Sequence, residues 1–280
     1  MRLTIIASIL STALFACASP SSAPDDGTPD PVGDGKVDGG APDEECDGAT
    51  VPGDYADLQS AINVMTETGI DGTICLQAGT FEAMAFPPLF TFEIIASRVA
   101  GNTTFGIGAE EGTLDLTIDR SELGPADDRR VFDVRSLQSQ LSGRITNSIV
   151  RMPLEVFSTY ASSATFDVVN NTFIGGSLAI STSGSVANNI FTGSPGAALS
   201  ITSDSATAQS HNAFWDNASN YQGAVPSATN IKKDCLLTST GKLGAGSPCI
   251  DAADGSLAPD HDYMNNERDS QPDIGAFERQ

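Results

Sequence analysis

Ile145-Thr-Asn147-Ser-Ile149 is the first statement of a phrase that returns three times. It comes back as Val168-Val-Asn170-Asn171-Thr-Phe173, as Val186-Ala-Asn188-Asn189-Ile-Phe191 and as Ser210-His211-Asn212-Ala-Phe214. The steps from Asn147 to Asn171, Asn189 and Asn212 are 24, 18 and 23 residues. Self-similarity at about 20–25 residues marks a stacked solenoid. Each phrase sets apolar or β-branched residues on both sides of a turn residue, which suits short strands with one face buried. Asn tolerates the left-handed backbone region and hydrogen-bonds its local backbone, so it fits a tight corner between strands. The spacing predicts that Asn147, Asn171, Asn189 and Asn212 lie above one another, each amide donating to the next. Phe173, Phe191 and Phe214 then stack inside, with Ile149 at the end of their row. The inserts between phrases are Gly, Ser, Thr and Ala, with no room for a crossover helix. The fold class is therefore all-β, a parallel β-helix whose coils rest on their neighbours. The alternative, an antiparallel sandwich with Asn-rich turns, would have to repeat one phrase at this spacing, which hairpin turns rarely do.

Composition agrees with thin stacked strands. Aromatic residues make up 6% of the 280, while small and β-branched residues are plentiful. Fourteen basic residues face 36 acidic ones, for a net charge of −22. Such a chain repels phosphate backbones, so nucleic acid is not an expected partner. The acidity suits a soluble exported domain, expected to be a monomer.

The chain opens with Met1-Arg2 and an apolar run from Leu3 to Leu14. That run is too short to span a bilayer and reads as a secretory signal over residues 1–16. It ends Leu14-Phe-Ala-Cys17, which resembles the lipobox of bacterial lipoproteins. The resemblance implies that Cys17 becomes the acylated first residue of the mature chain. Several acyl chains, at about 0.8 kcal/mol per buried methylene, would anchor it stably to a membrane. Ala18 at the following position resembles outer-membrane sorting, so a surface-exposed lipoprotein of a bacterial outer membrane is expected. Residues 17–50 then form an acidic tether rich in Pro, Gly, Asp and Ser, without the apolar groups that would offset ordering entropy. The β-helix domain is expected over residues 51–280.

That domain begins with Tyr55, Leu58, Ala61, Ile62 and Met65, one apolar stripe of a short helix that Asp54 can cap. Such a helix would cover the open end of a solenoid. The passage from Asp57-Leu-Gln-Ser-Ala-Ile62 through Thr73-Ile-Cys-Leu-Gln-Ala-Gly79-Thr-Phe81 resembles the opening of right-handed parallel β-helix proteins of the pectate-lyase-like superfamily. The resemblance runs on through the Asn phrases and implies a right-handed solenoid with a short N-terminal capping helix. Three later segments are Gly246-Ser-Pro-Cys249-Ile-Asp251, Asp260-His-Asp262 through Arg268, and Asp273-Ile-Gly-Ala-Phe277-Glu278. They resemble the close of secreted bacterial β-helix proteins with a choice-of-anchor Q type of C-terminal segment, with Asn265 where Gly is usual. Asp260, Asp262 and Asp273 either chelate calcium or pair with Arg268 and cap backbone amides. No other cofactor is expected.

Besides Cys17, the chain has Cys46, Cys75, Cys235 and Cys249. An exported protein is expected to oxidise them in pairs. Three connectivities exist; the favoured one joins Cys46 to Cys75 and Cys235 to Cys249.

Pectate-lyase-like folds often carry lyases and glycoside hydrolases, but fold does not fix function. The best lyase candidates are Asp115 and Asp119, with Asp133, for a cation and Arg144, with Arg120 and Arg135, for a base or substrate clamp. Arg120 and Arg144 are 24 residues apart and so are candidates for one face. His211 reads as a corner residue. Phe157, Tyr160, Trp215 and Tyr221 offer an aromatic sugar platform, or else Trp215 packs under a loop. With no clear acid/base pair and about seven or eight coils, the expectation is a non-enzymatic surface protein for adhesion or extracellular carbohydrate binding. A polysaccharide lyase or glycoside hydrolase acting on extracellular polysaccharide is the alternative.

Overall fold

The structure is a computed structural model of the whole chain. It describes residues 2–7, 49–51, 60, 64, 72–76, 89–95, 98–99, 103–107, 113–124, 132–136, 140–158, 164–202, 206–223 and 226–280. Side chains are described at 60 and 64 and, within those spans, from 115 onward except at 135–136.

Every strand-to-strand pairing is parallel, and the strands sort into three sheets that share one interior. The fold is a parallel β-solenoid. Four coils are described with all their side chains, at 140–158, 165–181, 184–201 and 207–222. Each gives one strand to each sheet. In the third coil, Gly184–Ala187 joins the first sheet, Ile190–Thr192 the second and Ala197–Ile201 the third. Two earlier coils, at 113–136 and 89–107, continue the three sheets toward the N-terminus. Among the described residues the first sheet holds nine strands and the second and third hold six each. Beyond Gly223 the chain turns one more corner, where Asn230 Oδ1 accepts the Asn212 amide at 3.0 Å and Ile231 pairs in parallel with Ala213, and only then turns back along the solenoid.

Alternation of side chains along each strand explains the interior. On the third sheet Phe132, Leu154, Leu178 and Leu199 are in register, as are Val134, Val156, Ile180 and Ile201. On the first, Leu116, Ile118, Leu141, Ile145, Phe166, Val168 and Val186 point the same way. All are buried; full burial of such a side chain stabilises by about 1.5–3 kcal/mol. Phe173, Phe191 and Phe214 stack as the phrase predicts, with centroids 4.5 and 5.1 Å apart. Their row ends on Val150, because Val150 pairs with Phe173. Ile149, predicted in that place, pairs with Thr172 and points outward. At the other end Tyr221 tilts over Phe214 at 4.7 Å and so caps the stack.

The corner between the first and second sheets uses two residues per coil. Arg120, Asn147, Asn170, Asn188 and His211 all have φ between 48° and 57° and occupy one corner position. The next residue in each coil builds the buried ladder: Ser121, Ser148, Asn171, Asn189 and Asn212. Asn171 Nδ2 donates to Asn189 Oδ1 at 3.1 Å, and Asn189 Nδ2 to Asn212 Oδ1 at 3.0 Å. Asn147 therefore does not stack on Asn171 as its spacing suggested. It stacks on Asn170, and Ser148 takes the ladder place, its amide donating to Asn171 Oδ1 at 2.9 Å. His211 is a corner residue, as read.

The remaining expectations divide by what the structure describes. Of the capping helix, Ser60 and Val64 are described and both are helical; its other residues lie outside the described set. In the full chain, Arg2–Ala7 forms a strand between Gly72–Leu76 and Leu89–Ile95. Its apolar, β-branched residues suit a strand as well as an export signal. Cys17 and Cys46 lie outside the described residues, as does the Cys75 side chain. Cys235 and Cys249 form a disulfide, with Cα atoms 5.5 Å apart.

Candidate functional site

The middle residue of each second-sheet strand points inward, and its neighbours point out in two rows. One outward row is Ile149, Thr172, Ile190 and Ala213. Residues 226–280 cover it as a C-terminal strap, packing Cys235, Cys249, Ile274 and Ala276 against it. Gly275 marks the closest approach. A Cβ there would sit 2.6 Å from Ile190 Cδ1, and its φ of +103° is one that side chains rarely adopt. The strap also fastens to the corner row: Asn170 Nδ2 donates to the Asp273 carbonyl, Asn188 Nδ2 to the Asp254 carbonyl, and Arg268 Nη2 to Asn147 Oδ1.

The C-terminal motifs carry this fastening. Asp262 Oδ1 accepts the Met264 and Asn266 amides, and its Oδ2 accepts the Glu278 amide at 3.0 Å. Asp273 accepts the Asp251 amide at 2.8 Å and the Arg279 amide at 2.7 Å. Asp260 is exposed. Arg268 forms its ion pair with Glu278, at 2.9 Å, both side chains being 2% exposed. None of the three Asp carboxylates is its partner in an ion pair. Burial pushes the Glu278 and Asp273 carboxyls above their ordinary range, against the amides that hydrogen-bond them. Burial likewise lowers the Arg268 guanidinium, opposed mainly by Glu278. Among the described residues no three His, Cys, Asp or Glu side chains are grouped to hold a metal ion.

The lyase candidates are brought together only in part. Asp115, Asp119 and Arg144 all lie on the outward side of the first sheet, where Ser142, Arg144 and Thr146 pair with Asp115, Thr117 and Asp119. Asp119 is committed to the corner. Its Oδ1 accepts Thr146 Oγ1 at 2.7 Å and Asn147 Nδ2 at 3.0 Å, while Arg120 Nε meets its Oδ2 at 3.0 Å. Asp115 accepts Ser142 Oγ at 3.2 Å. Arg144 is exposed and pairs across the sheet with Thr117 and Asp167. Arg120 does not stack on Arg144; it stacks on Asn147 in the corner row. Asp133 belongs to the third sheet and is buried, and Arg135 shares its strand. The three carboxylates therefore do not surround one point. Coil lengths of 18 to 27 residues between stacked positions explain why equal spacing in sequence did not mean equal height in the stack.

The aromatic platform is not assembled either. Phe157 faces outward on the third sheet and Tyr221 caps the core, while Tyr160 lies outside the described residues. Trp215 is 46% exposed and is not packed under a loop. It continues the other outward row of the second sheet, after Ile174 and Thr192. Between this row and the loop that follows Asp234 lies a cleft of about 320 Å³. Trp215, Asp216, Asp234, Thr192 and Ser239 line it, with Ile174 among its apolar residues. Asp216 stands at a corner that the two preceding coils turn with Gly175 and Gly193, and its φ of 52° matches theirs in sign. Its carboxylate makes no hydrogen bond or ion pair with another described residue. The sequence carries the signal for this site: the phrase closes Phe173-Ile-Gly175 and Phe191-Thr-Gly193, then breaks to Phe214-Trp-Asp216.

Compared with protein-family models, curated proteins and solved structures, the chain matches none of them. Fold and site define a parallel β-solenoid with one strapped face and one small acidic, aromatic-rimmed cleft.

Proposed function

We propose that the chain is a non-enzymatic, lipid-anchored protein of a bacterial cell envelope that displays its β-helix to bind extracellular carbohydrate. The observation that carries this reading is the cleft beneath Trp215. An exposed indole beside acceptor groups on a rigid sheet offers a flat apolar face to a sugar ring and partners to its hydroxyls. The solenoid presents that cleft beside the strap, whose Cys235 and Leu237 line it together with Ile190 and Ala213. Asp119, the carboxylate best placed for lyase chemistry, is occupied by corner hydrogen bonds, which favours binding over cleavage. The anchor at Cys17, the tether, the pectate-lyase-like kinship and the choice-of-anchor Q kinship of the C-terminal segment belong to the same proposal. They rest on the motifs quoted above.

The test is to incubate the full chain with neutral, acidic and amine-bearing polysaccharides, with calcium and with chelator. Retention and new chain ends are both recorded. Retention without new ends is the expected result. Calcium-dependent new ends, lost in an Asp115→Ala/Asp119→Ala variant, would replace this reading with the polysaccharide lyase.

A further inference from the structure

Two carboxylates line the Trp215 cleft, and no lysine or arginine does. Asp216 has no partner among the described residues, and Asp234 accepts only the Leu236 amide through Oδ1, at 2.7 Å. Carboxylates accept hydrogen bonds and donate none, so a ligand here must donate. Lys232 Nζ sits 5.8 Å over the Tyr221 ring and Lys242 Nζ 5.6 Å over the Phe277 ring, while Lys233, next to Asp234 in the chain, is exposed and does not line the cleft. The indole is the aromatic face that attracts a cation most strongly, and more so where water is partly displaced. A net charge of −22 draws cations toward the whole molecule and repels polyuronates.

We propose that the cleft selects a cationic sugar, namely a glycan unit bearing a free, protonated amine, with the ring on Trp215 and the ammonium between Asp216 and Asp234. The proposal rests on the carbohydrate-binding reading and narrows its ligand class. Thr192 and Ser239 supply hydroxyls at the cleft wall for the sugar's remaining polar groups. A volume of about 320 Å³ suits a short stretch of a chain, so longer polymers would lie along the outer row and present one unit at a time.

Trp215 is the only tryptophan, so its emission reports directly on the cleft. The experiment titrates the full chain, at a mildly acidic pH that keeps the amine charged, with glucosamine oligomers. Their N-acetylated counterparts, neutral glucan oligomers and oligolysine of matched charge are titrated alongside. Glucosamine oligomers should shift the emission and bind about tenfold tighter than the acetylated form. Asp216→Gly is the variant of choice, because Gly175 and Gly193 hold the same corner in the coils before it and the fold should be kept. It should bring glucosamine-oligomer binding down to the level of the acetylated form, with its thermal melt as the check on folding.

Equal binding of amine-bearing and acetylated oligomers, unchanged in Asp216→Gly, would overturn the cationic selectivity and leave carbohydrate binding standing. No binding of any glycan would overturn both. Oligolysine binding as tightly as the glucosamine oligomer would show charge without sugar recognition and would also overturn the proposal.

Discussion

Asn189 is wholly buried, and its amide reaches across three coils. Nδ2 donates to the Val168 and Ala187 carbonyls at 2.7 and 2.9 Å and to Asn212 Oδ1. Oδ1 accepts the Asn171 amide at 2.9 Å. The φ of 57° at Asn188 turns the chain so that this amide can enter the stack. Asn189→Ala would leave the buried Asn171 N–H without its acceptor, at a cost of about 1–3 kcal/mol, and remove one donor each from the Val168 and Ala187 carbonyls. We expect a loss of about 3 kcal/mol in urea unfolding, with partial retention in Asn189→Ser. A loss below about 0.5 kcal/mol would mean that water replaces the ladder. The pair of Asn residues was legible in the sequence as a repeat. Which of the two faces inward was not, because a ladder place can also be held by Ser121 or Ser148. The hydroxyl of Ser148 receives the Ser121 amide much as Asn oxygens do elsewhere in the ladder.

At the scale of the element, the C-terminal strap is a polar segment held to an apolar row by a few buried contacts. Glu278 and Asp273 lie within it near Arg268, Asp251 and Asp262. Their carboxyls are raised, so between the ordinary carboxylate range and those raised values the folded strap holds more protons than the unfolded chain. Their contribution to stability is then fully present below the ordinary range and is lost as pH rises through the folded values. Hydrogen-exchange protection of the Asp251 and Arg279 amides, both bonded to Asp273, should rise as pH is lowered from neutral into the mildly acidic range. Glu278→Gln should shallow that slope; a slope of opposite sign would refute the assignment. The motif around Asp273-Ile-Gly-Ala-Phe277-Glu278 was readable as a recurring close. Its purpose was not, because the surface it covers comes from residues about 60 to 125 positions earlier.

At the scale of the molecule, the cleft runs over the last three coils, through Ile174, Thr192 and Trp215, beside the strap at the C-terminal end of the solenoid. The strand Arg2–Ala7 lies several coils away in the first sheet. If Cys17 is the acylated first residue of the mature chain, Cys17→Ser should move the protein from the membrane fraction to the soluble fraction. Membrane retention of the variant would refute the anchor. No helix among the described residues is long and apolar enough to cross a membrane.

The parallel solenoid, the Phe stack and the Cys235–Cys249 pair followed from sequence because each depends on local periodicity or on a short loop. The register of the corner rows, the turning back of residues 226–280 and the cleft beside Trp215 were decided only in the tertiary structure. Coils of unequal length stack by hydrogen-bond register and not by residue count, so a one-residue offset redirects a side chain from the core to the surface. The break from Gly193 to Asp216 is written in the chain, but what faces it is a loop about 20 residues further on. Folding alone brings the two together.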